Sequence, residues 1–97
     1  MIEVRQTTVF ADWLASLKDA KTVATIAQRI VRVQSGLLGD VNPVGNGVSE
    51  LRLNYGPGFR LYFLQRGKCL IVLLCGGDKG TQKADIRQAK ELAAGLP

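Results

Sequence analysis

The sequence contains no histidine, the side chain that most often exchanges protons near neutral pH. Acid–base chemistry in this protein would therefore depend on lysine, carboxylate or tyrosine side chains. Two cysteines among 97 residues are too few for a disulfide-rich scaffold, and no group of cysteines and carboxylates has the spacing of a metal site. A phosphate-binding nucleotide loop is missing as well. We expect the protein to work without a metal or another cofactor.

Long hydrophobic runs are also missing. The longest, Leu70–Cys75, is much shorter than the roughly 20 apolar residues that cross a bilayer. The first eight residues include Glu3 and lack the apolar segment of a secretory signal. These features predict a cytoplasmic protein with no membrane partner. Cys69 and Cys75, too far apart on one predicted strand to form a disulfide, are interpreted as small hydrophobic core residues.

The composition is that of a globular protein, with 46% apolar and 22% charged residues, and the length predicts one domain, residues 1–97. The formal net charge is +5, and most of the excess lies in the second half, where eight basic residues accompany four acidic ones from Glu50 onward. This charge favours an anionic partner. A solvated basic face without a partner is the alternative on charge alone.

Hydrophobic periodicity predicts an α+β fold in the order β-α-α-β-β-β-α. Trp13 lies in an apolar helical stripe and is predicted to belong to the core. The stretch 36–47 is predicted to be an irregular connector, and 76–80 a flexible loop that leads to a helix capped by Thr81. The predicted elements are a strand at 2–6, helices around 10–17 and 23–33, strands at 48–53, 59–63 and 69–75, and a last helix after Thr81.

Three basic residues are predicted to meet near one end of the sheet. Arg52 and Arg60 occupy the same face of neighbouring strands, and Lys79 follows the next strand. Because a guanidinium group matches two oxygens of a phosphate, this arrangement predicts a phosphate site. Alternatively, Arg52 pairs with Glu50 on a solvated face, which would contribute under about 1 kcal/mol. Glu50 is either a general base or a residue that holds Arg52 or Arg60 in place.

Candidate nucleotide-binding residues surround these cations. Tyr62 and Tyr55 could each stack on a base, at roughly 1–3 kcal/mol per stacked base. Gln82 and Lys83 begin the last helix, where backbone N–H groups and the helix dipole favour a phosphate. For Tyr62, packing against the last helix is an equally good interpretation.

Three motifs stand in a characteristic order: Gly-Val-Ser-Glu-Leu-Arg-Leu at 47–53, Gly-Pro-Gly-Phe-Arg-Leu-Tyr-Phe at 56–63, and Leu-Leu-Cys-Gly-Gly-Asp-Lys-Gly-Thr-Gln at 73–82. Together they resemble the addiction-module killer branch of the RelE/ParE superfamily, close to HigB-like toxins of type II toxin-antitoxin systems. The resemblance covers essentially the whole chain. It implies a small α+β fold with an antiparallel-rich sheet, two N-terminal helices packed on it and a C-terminal helix.

The resemblance also implies a function. Most RelE-like and HigB-like toxins cut mRNA in the ribosomal decoding site, and antitoxins, often helix-turn-helix proteins such as HigA, neutralise them. We therefore expect a metal-independent, ribosome-dependent mRNA endoribonuclease that inhibits translation. Arg60 matches a catalytic arginine of several relatives, with Arg52, Lys79 and Glu50 as further catalytic candidates. Two alternatives remain: a ParE-like inhibitor of DNA gyrase that cuts no RNA, and an inactive relative that only binds its antitoxin.

The sequence departs from the better-understood relatives in two respects. It lacks the histidine that serves as general acid or base in some HigB-like and YoeB-like enzymes, and its last residues lack the tyrosine that RelE uses. Either Lys79 and Glu50 carry the proton transfers, or catalysis is mostly electrostatic.

Overall fold

The computed structural model describes residues 1–97 as an α+β fold with three helices and one five-stranded mixed sheet. The strands stand in the order β1-β5-β4-β3-β2; β1 is parallel to β5, and every other pair is antiparallel. None of the helices combines the length and apolar character that a membrane crossing requires. The elements are β1 (Glu3–Gln6), α1 (Thr8–Ser16), α2 (Ala20–Gln34), β2 (Val41–Gly45), β3 (Val48–Arg52), β4 (Arg60–Arg66), β5 (Leu70–Gly77), a 3-10 turn (Lys79–Thr81) and α3 (Gln82–Ala94).

Helices cover both faces of the sheet. One face packs against α1 and α2 through a core that includes Phe10 and Ile26 from the helices and Leu61 from β4. The opposite face packs against α3 through a smaller cluster of Val48, Tyr62, Leu74, Cys75 and Ala89. Trp13 is half-buried against the first cluster, which agrees with its predicted core position. Side chains that alternate along β3 and β4 therefore enter one apolar cluster or the other, and polar residues remain accessible mainly where the strands end.

The stretch 36–47, predicted to be irregular, contains an additional strand. Residues Val41–Gly45 form β2 at the edge of the sheet, antiparallel to β3. A two-residue turn joins the two strands, with Asn46 at φ 58° and Gly47 at φ 78°. Positive φ at both positions is typical of a type I′ hairpin turn, for which Asn-Gly is the preferred pair. The irregular-connector prediction is wrong because Pro43, a residue tolerated on edge strands, obscured this signal.

The predicted flexible loop at 76–80 is also shorter than expected, because Gly76 and Gly77 belong to β5. A bulge at Leu74 shifts the alternation of β5, since Tyr62 pairs with Cys75 while Phe63 pairs with Leu73. Beyond the bulge a Cβ atom at Gly76 would overlap the Trp13 ring, and one at Gly77 would overlap the Asp85 carboxylate. Both positions therefore require glycine for close packing.

A 3-10 turn connects β5 to α3 and places Lys79. Asp78 caps this turn by accepting a hydrogen bond from the Gly80 N–H, and Thr81 completes a capping box with Asp78. Thr81 also precedes α3, as predicted, but its side chain makes no cap hydrogen bond to that helix. Its hydroxyl donates to the Asp85 carboxylate instead. The segment that carries Lys79 is thus tied at both ends.

The two cysteines differ in their surroundings. Cys75 is buried under α3, and its thiol donates to the Asp85 carbonyl at 3.5 Å, in agreement with the predicted core position. Burial raises the pKa of this thiol to about 12. Cys69 is exposed, so its predicted core position is wrong. It lies just before β5, in the turn that follows β4, where no element covers it.

Candidate functional site

The ends of three chain segments form one basic cleft. Arg52 ends β3 and is the register partner of Arg60, which begins β4 and in turn pairs with Gly77 near the end of β5. Neighbouring strands are about 4.8 Å apart, so this register brings the two arginines together. We call this space, of about 520 Å³, the strand-end cleft. Its lining residues are Asp40, Arg52, Leu53, Asn54, Gly56–Gly58, Arg60 and Lys79.

A tight turn forms one wall of the strand-end cleft. The Leu53 N–H donates to the Phe59 carbonyl at 2.9 Å, and the Gly58 N–H donates to the Tyr55 carbonyl at 3.1 Å. Gly56, at φ 57°, allows the sharp reversal. The Phe59 ring anchors the turn to α1 through an edge contact with Trp13, with ring centroids 6.3 Å apart. The wall is therefore held by backbone hydrogen bonds and aromatic packing.

The Arg60 side chain in this cleft has no internal partner. Its side chain is half-buried, and its Nε is a buried donor with no hydrogen-bond acceptor. The chain contains only two ion pairs within 4.0 Å, Arg5–Glu3 and Arg52–Glu50, so no carboxylate neutralises Arg60 at contact distance. A cation held on a strand without a counter-ion is available to an anion in the cleft.

Arg52 differs from Arg60 because Glu50 accompanies it. The Arg52 Nε donates to Glu50 Oε1 at 3.0 Å, and the Glu50 side chain is fully buried. Gln82 also donates to this carboxylate, at 3.1 Å to Oε2, and Asn42 approaches Oε1 at 3.5 Å. The predicted alternative of an Arg52–Glu50 pair is confirmed, but the pair is not the expected solvated surface contact.

This burial corrects the expectation that Glu50 serves as a general base. Its carboxylate has no exposed surface and does not line the strand-end cleft, so it does not meet a substrate there. Glu50 instead orients Arg52 on β3 and Gln82 at the start of α3. We class it as a positioning residue.

The structure places the other basic and polar candidates, Lys79, Gln82 and Lys83, in three different surroundings. Lys79 lies in the strand-end cleft, close to the turn, where a Cβ atom at Gly58 would lie 3.4 Å from Lys79 Cβ. Gln82 is turned toward Glu50, so its side-chain amide is already engaged. Lys83 is exposed on the first turn of α3 and does not line the cleft. The structure therefore brings Lys79 together with the arginines and leaves Lys83 outside.

Tyr62 is completely buried under α3, so its ring offers no face to a nucleic-acid base. The prediction that Tyr62 stacks on a base is therefore wrong, and the alternative, packing against the last helix, is correct. Its hydroxyl has no hydrogen-bond partner. Burial, reinforced by the negative charges of Glu50 and Asp85, raises the pKa of Tyr62 far above its usual range.

Tyr55 is half-buried on the other side of the turn. It lines a second cleft of about 230 Å³ together with residues of α2. The sequence interpretation missed this neighbourhood and also missed Asp40, the only carboxylate that lines the strand-end cleft. Asp40 lies just before β2, so no local pattern pointed to its position in the cleft.

The strand-end cleft can stabilise negative charge on a phosphoryl group. Its three cations are anchored to strands or to a capped turn, so little reorganisation is needed when charge develops. Lys79 and Asp40 add a potential proton donor and acceptor. No group of three or more histidine, cysteine or acidic side chains is placed to hold a metal ion.

Comparison with known proteins links the chain to a relative of similar length. No protein-family model matches this sequence. A protein of Haemophilus influenzae, described as an uncharacterized protein, is 45% identical over 95 residues, which covers 98% of this chain and 96% of the Haemophilus protein.

Proposed function

We propose that this protein, which belongs to the same family as the Haemophilus influenzae protein, is the toxin of a type II toxin-antitoxin pair and cuts mRNA. The observation that carries the proposal is Arg60, a half-buried cation with no carboxylate partner, in a cleft with Arg52 and Lys79. The motifs that resemble HigB-like toxins contain all three residues. We further assign the fold to the RelE/ParE type, with β2 as an added edge strand. The succession of one strand, two helices, antiparallel strands and a final helix supports this assignment.

The proposed reaction is attack of a ribose 2′-oxygen on the neighbouring phosphorus. The 2′-hydroxyl loses its proton as the new O–P bond forms, and the leaving 5′-oxygen gains a proton as its bond to phosphorus breaks. Arg60 and Arg52 stabilise the charge that accumulates on the phosphoryl oxygens. The products are a 2′,3′-cyclic phosphate and a 5′-hydroxyl end.

Proton transfer in this mechanism uses the two other charged residues of the strand-end cleft. The Lys79 ammonium group is the proton donor to the leaving oxygen, and the Asp40 carboxylate is the proton acceptor for the 2′-hydroxyl. Asp40 replaces Glu50 in this role because only Asp40 lines the cleft. The chain itself supplies the positive charge in this proposal, so the mechanism assigns no role to a bound metal ion.

Primer-extension mapping of transcript ends after a short pulse of expression tests the proposal. The native protein is compared with Arg60→Gln, which removes the charge but keeps a polar side chain. The matched control is Arg87→Ala, which removes an exposed cation from α3 outside the cleft. We expect new cuts inside translated codons with the native protein and the control, and none with Arg60→Gln. Purified protein added to ribosome-free RNA then tests the proposed ribosome dependence.

The other outcomes point to the other functions. Intact transcripts together with growth arrest and a DNA-damage response would indicate a gyrase inhibitor. Intact transcripts without growth arrest would indicate an inactive antitoxin-binding relative. Cuts that persist in Arg60→Gln would remove Arg60 from the mechanism.

The proposed partners are the mRNA on the ribosome and a HigA-like helix-turn-helix antitoxin. The net charge of +5 supports a polyanionic target such as the ribosome. Co-expression of a small helix-turn-helix protein encoded beside this chain should restore growth. An unrelated helix-turn-helix protein serves as the control.

A further inference from the structure

A second basic cleft lies between α2 and the turn that bounds the strand-end cleft. It is lined by Thr25, Gln28, Arg29 and Arg32 of α2 and by the segment 53–55, and we call it the α2 cleft. Its volume is about 230 Å³. The lining contains two arginines and no carboxylate, so it carries two positive charges.

The two arginines are arranged to receive an anion. Arg29 and Arg32 are three residues apart on one helix, so their side chains lie on the same face, where like charges repel. Neither has a carboxylate within 4.0 Å. Arg29 is held by its hydrogen bonds to the carbonyls of Leu38, at 3.1 Å, and Asp40, at 3.4 Å. Burial and the neighbouring Arg32 lower the pKa of Arg29, whereas the negative charge of Asp40 acts in the opposite direction.

An aromatic ring and two amides complete the α2 cleft. Tyr55 offers a partly exposed ring, and a ring can stack on any nucleic-acid base. Gln28 and Asn54 carry amide groups that can donate to and accept from the edge of a base. An acidic peptide would use the arginines but would have little use for the ring and the amides together. The lining therefore favours a nucleotide.

The two clefts are contiguous. Leu53 and Asn54 line both of them, because the chain leaves β3 at this point and turns between the two spaces. An RNA strand with one phosphate at Arg60 would therefore meet the α2 cleft by passing over Asn54.

We infer that the α2 cleft binds the nucleotide next to the cleaved phosphodiester, with its phosphate at Arg32 and Arg29 and its base stacked on Tyr55. The inference rests on the proposed RNA-cutting function and extends it from a single phosphate to at least two consecutive nucleotides. Arg32, which is exposed and not held by the backbone as Arg29 is, forms the cleaner experimental probe.

The test combines binding and cleavage with the purified full chain. Binding of a fluorescent five-nucleotide RNA with 2′-O-methyl groups, which cannot be cut, is measured over a range of salt concentrations. We expect Tyr55→Ala to weaken binding about tenfold, as loss of one stacked base does. Arg32→Ala should lower the slope of log affinity against log salt by about 0.7, the value for one phosphate contact on a single strand. Lys68→Ala, in the exposed turn between β4 and β5, is the matched control that changes neither quantity.

Cleavage of ribosome-bound mRNA separates this inference from the proposed function. Arg32→Ala and Tyr55→Ala should raise KM about tenfold, whereas Arg60→Gln should abolish kcat. One outcome would overturn only the assignment of the α2 cleft. In that outcome the native protein cuts mRNA, but Arg32→Ala and Tyr55→Ala have the same affinity, salt slope and KM as the Lys68→Ala control. A native protein that neither binds nor cuts RNA would overturn both proposals. Tighter binding of a poly-glutamate peptide than of the RNA, lost in Arg32→Ala, would assign the cleft to an acidic protein instead.

Discussion

The most informative single substitution for the architecture of the site is Arg52→Ala. It removes the only charged partner of Glu50, whose carboxylate has no exposed surface and sits 3.0 Å from the Arg52 Nε. In the variant the carboxylate would keep only the amides of Gln82 and Asn42. A charge left buried without its counter-ion is among the costliest changes in a protein interior.

The expected loss of stability depends on the fact that Glu50 is fully buried whereas Arg52 is partly exposed. Loss of the cation should lower the free energy of unfolding by about 3–5 kcal/mol, a large part of the total of roughly 5–15 kcal/mol for a small domain. The reciprocal change, Glu50→Gln, should cost only about 1–2 kcal/mol, because the Arg52 side chain is 38% exposed and its charge can reach water. Arg52→Ala should therefore lower the free energy of unfolding more than Glu50→Gln does, although both substitutions break the same ion pair.

Urea unfolding followed by circular dichroism measures these differences. The double variant Arg52→Ala/Glu50→Gln no longer buries a carboxylate at position 50, so it should be more stable than Arg52→Ala by about 1–3 kcal/mol. For a chain of this size, 1 kcal/mol corresponds to about 4–8 °C in Tm, so thermal melts should show the same order. Arg87→Ala, on the exposed face of α3, should stay within about 0.5 kcal/mol of the native protein.

An Arg52→Ala variant as stable as Arg87→Ala would refute this reasoning, since Glu50 would then not be a buried charge that depends on Arg52. The expected outcome also affects the functional assays. Loss of activity in Arg52→Ala would combine loss of a phosphate contact with partial unfolding. Arg60 and Lys79, which have no buried carboxylate partner, are the better probes of chemistry.

Four further predictions concern the hairpin, the labelling of the two cysteines, the pH dependence of stability, and proton transfer. Asn46→Ala should destabilise the protein by about 1 kcal/mol because its φ of 58° is strained for alanine, whereas Asn46→Gly should not; urea unfolding distinguishes them. At pH 8 a thiol reagent should label Cys69 alone, with Cys75 labelled only after unfolding; equal labelling rates would contradict its burial. Because folding raises the Cys75 pKa to about 12, the unfolded chain releases this proton first as pH rises, so stability should fall between about pH 9 and pH 12 more steeply in the native protein than in Cys75→Ala, where the raised pKa of Tyr62 still lowers stability above about pH 10. Asp40→Asn should slow RNA cleavage by about 10²-fold or more at saturating substrate, whereas Asp12→Asn on α1 should not; equal rates would exclude Asp40 as the base.

Part of this fold was predictable from local patterns. The alternation in β3 and β4 placed Arg52 and Arg60 on one face, and the observed register confirms that they are neighbours. The same alternation could not reveal what covers that face. Tyr62 looked available to a base until α3 was found to bury it, and Glu50 looked solvated until Gln82 and Asn42 were found around it.

Other parts of the candidate site depended on long-range geometry. Asp40 reaches the strand-end cleft because β2 pairs with β3, and the irregular-connector prediction missed that pairing. The α2 cleft exists because a helix near the start of the chain packs beside the turn after β3. Neither distance has a local signature in the sequence.

By itself, the sequence determined the class of the fold, the helices, three central strands and the shared face of Arg52 and Arg60, because these follow from periodicities within a few residues. Only the tertiary structure decided which of the charged groups remain available. It buried Glu50 and Tyr62, left Arg60 without a counter-ion and joined a second basic cleft to the first. The physical reason is that charge pairing and burial depend on segments far apart in the chain, and their contacts are set only when the helices pack on both faces of the sheet.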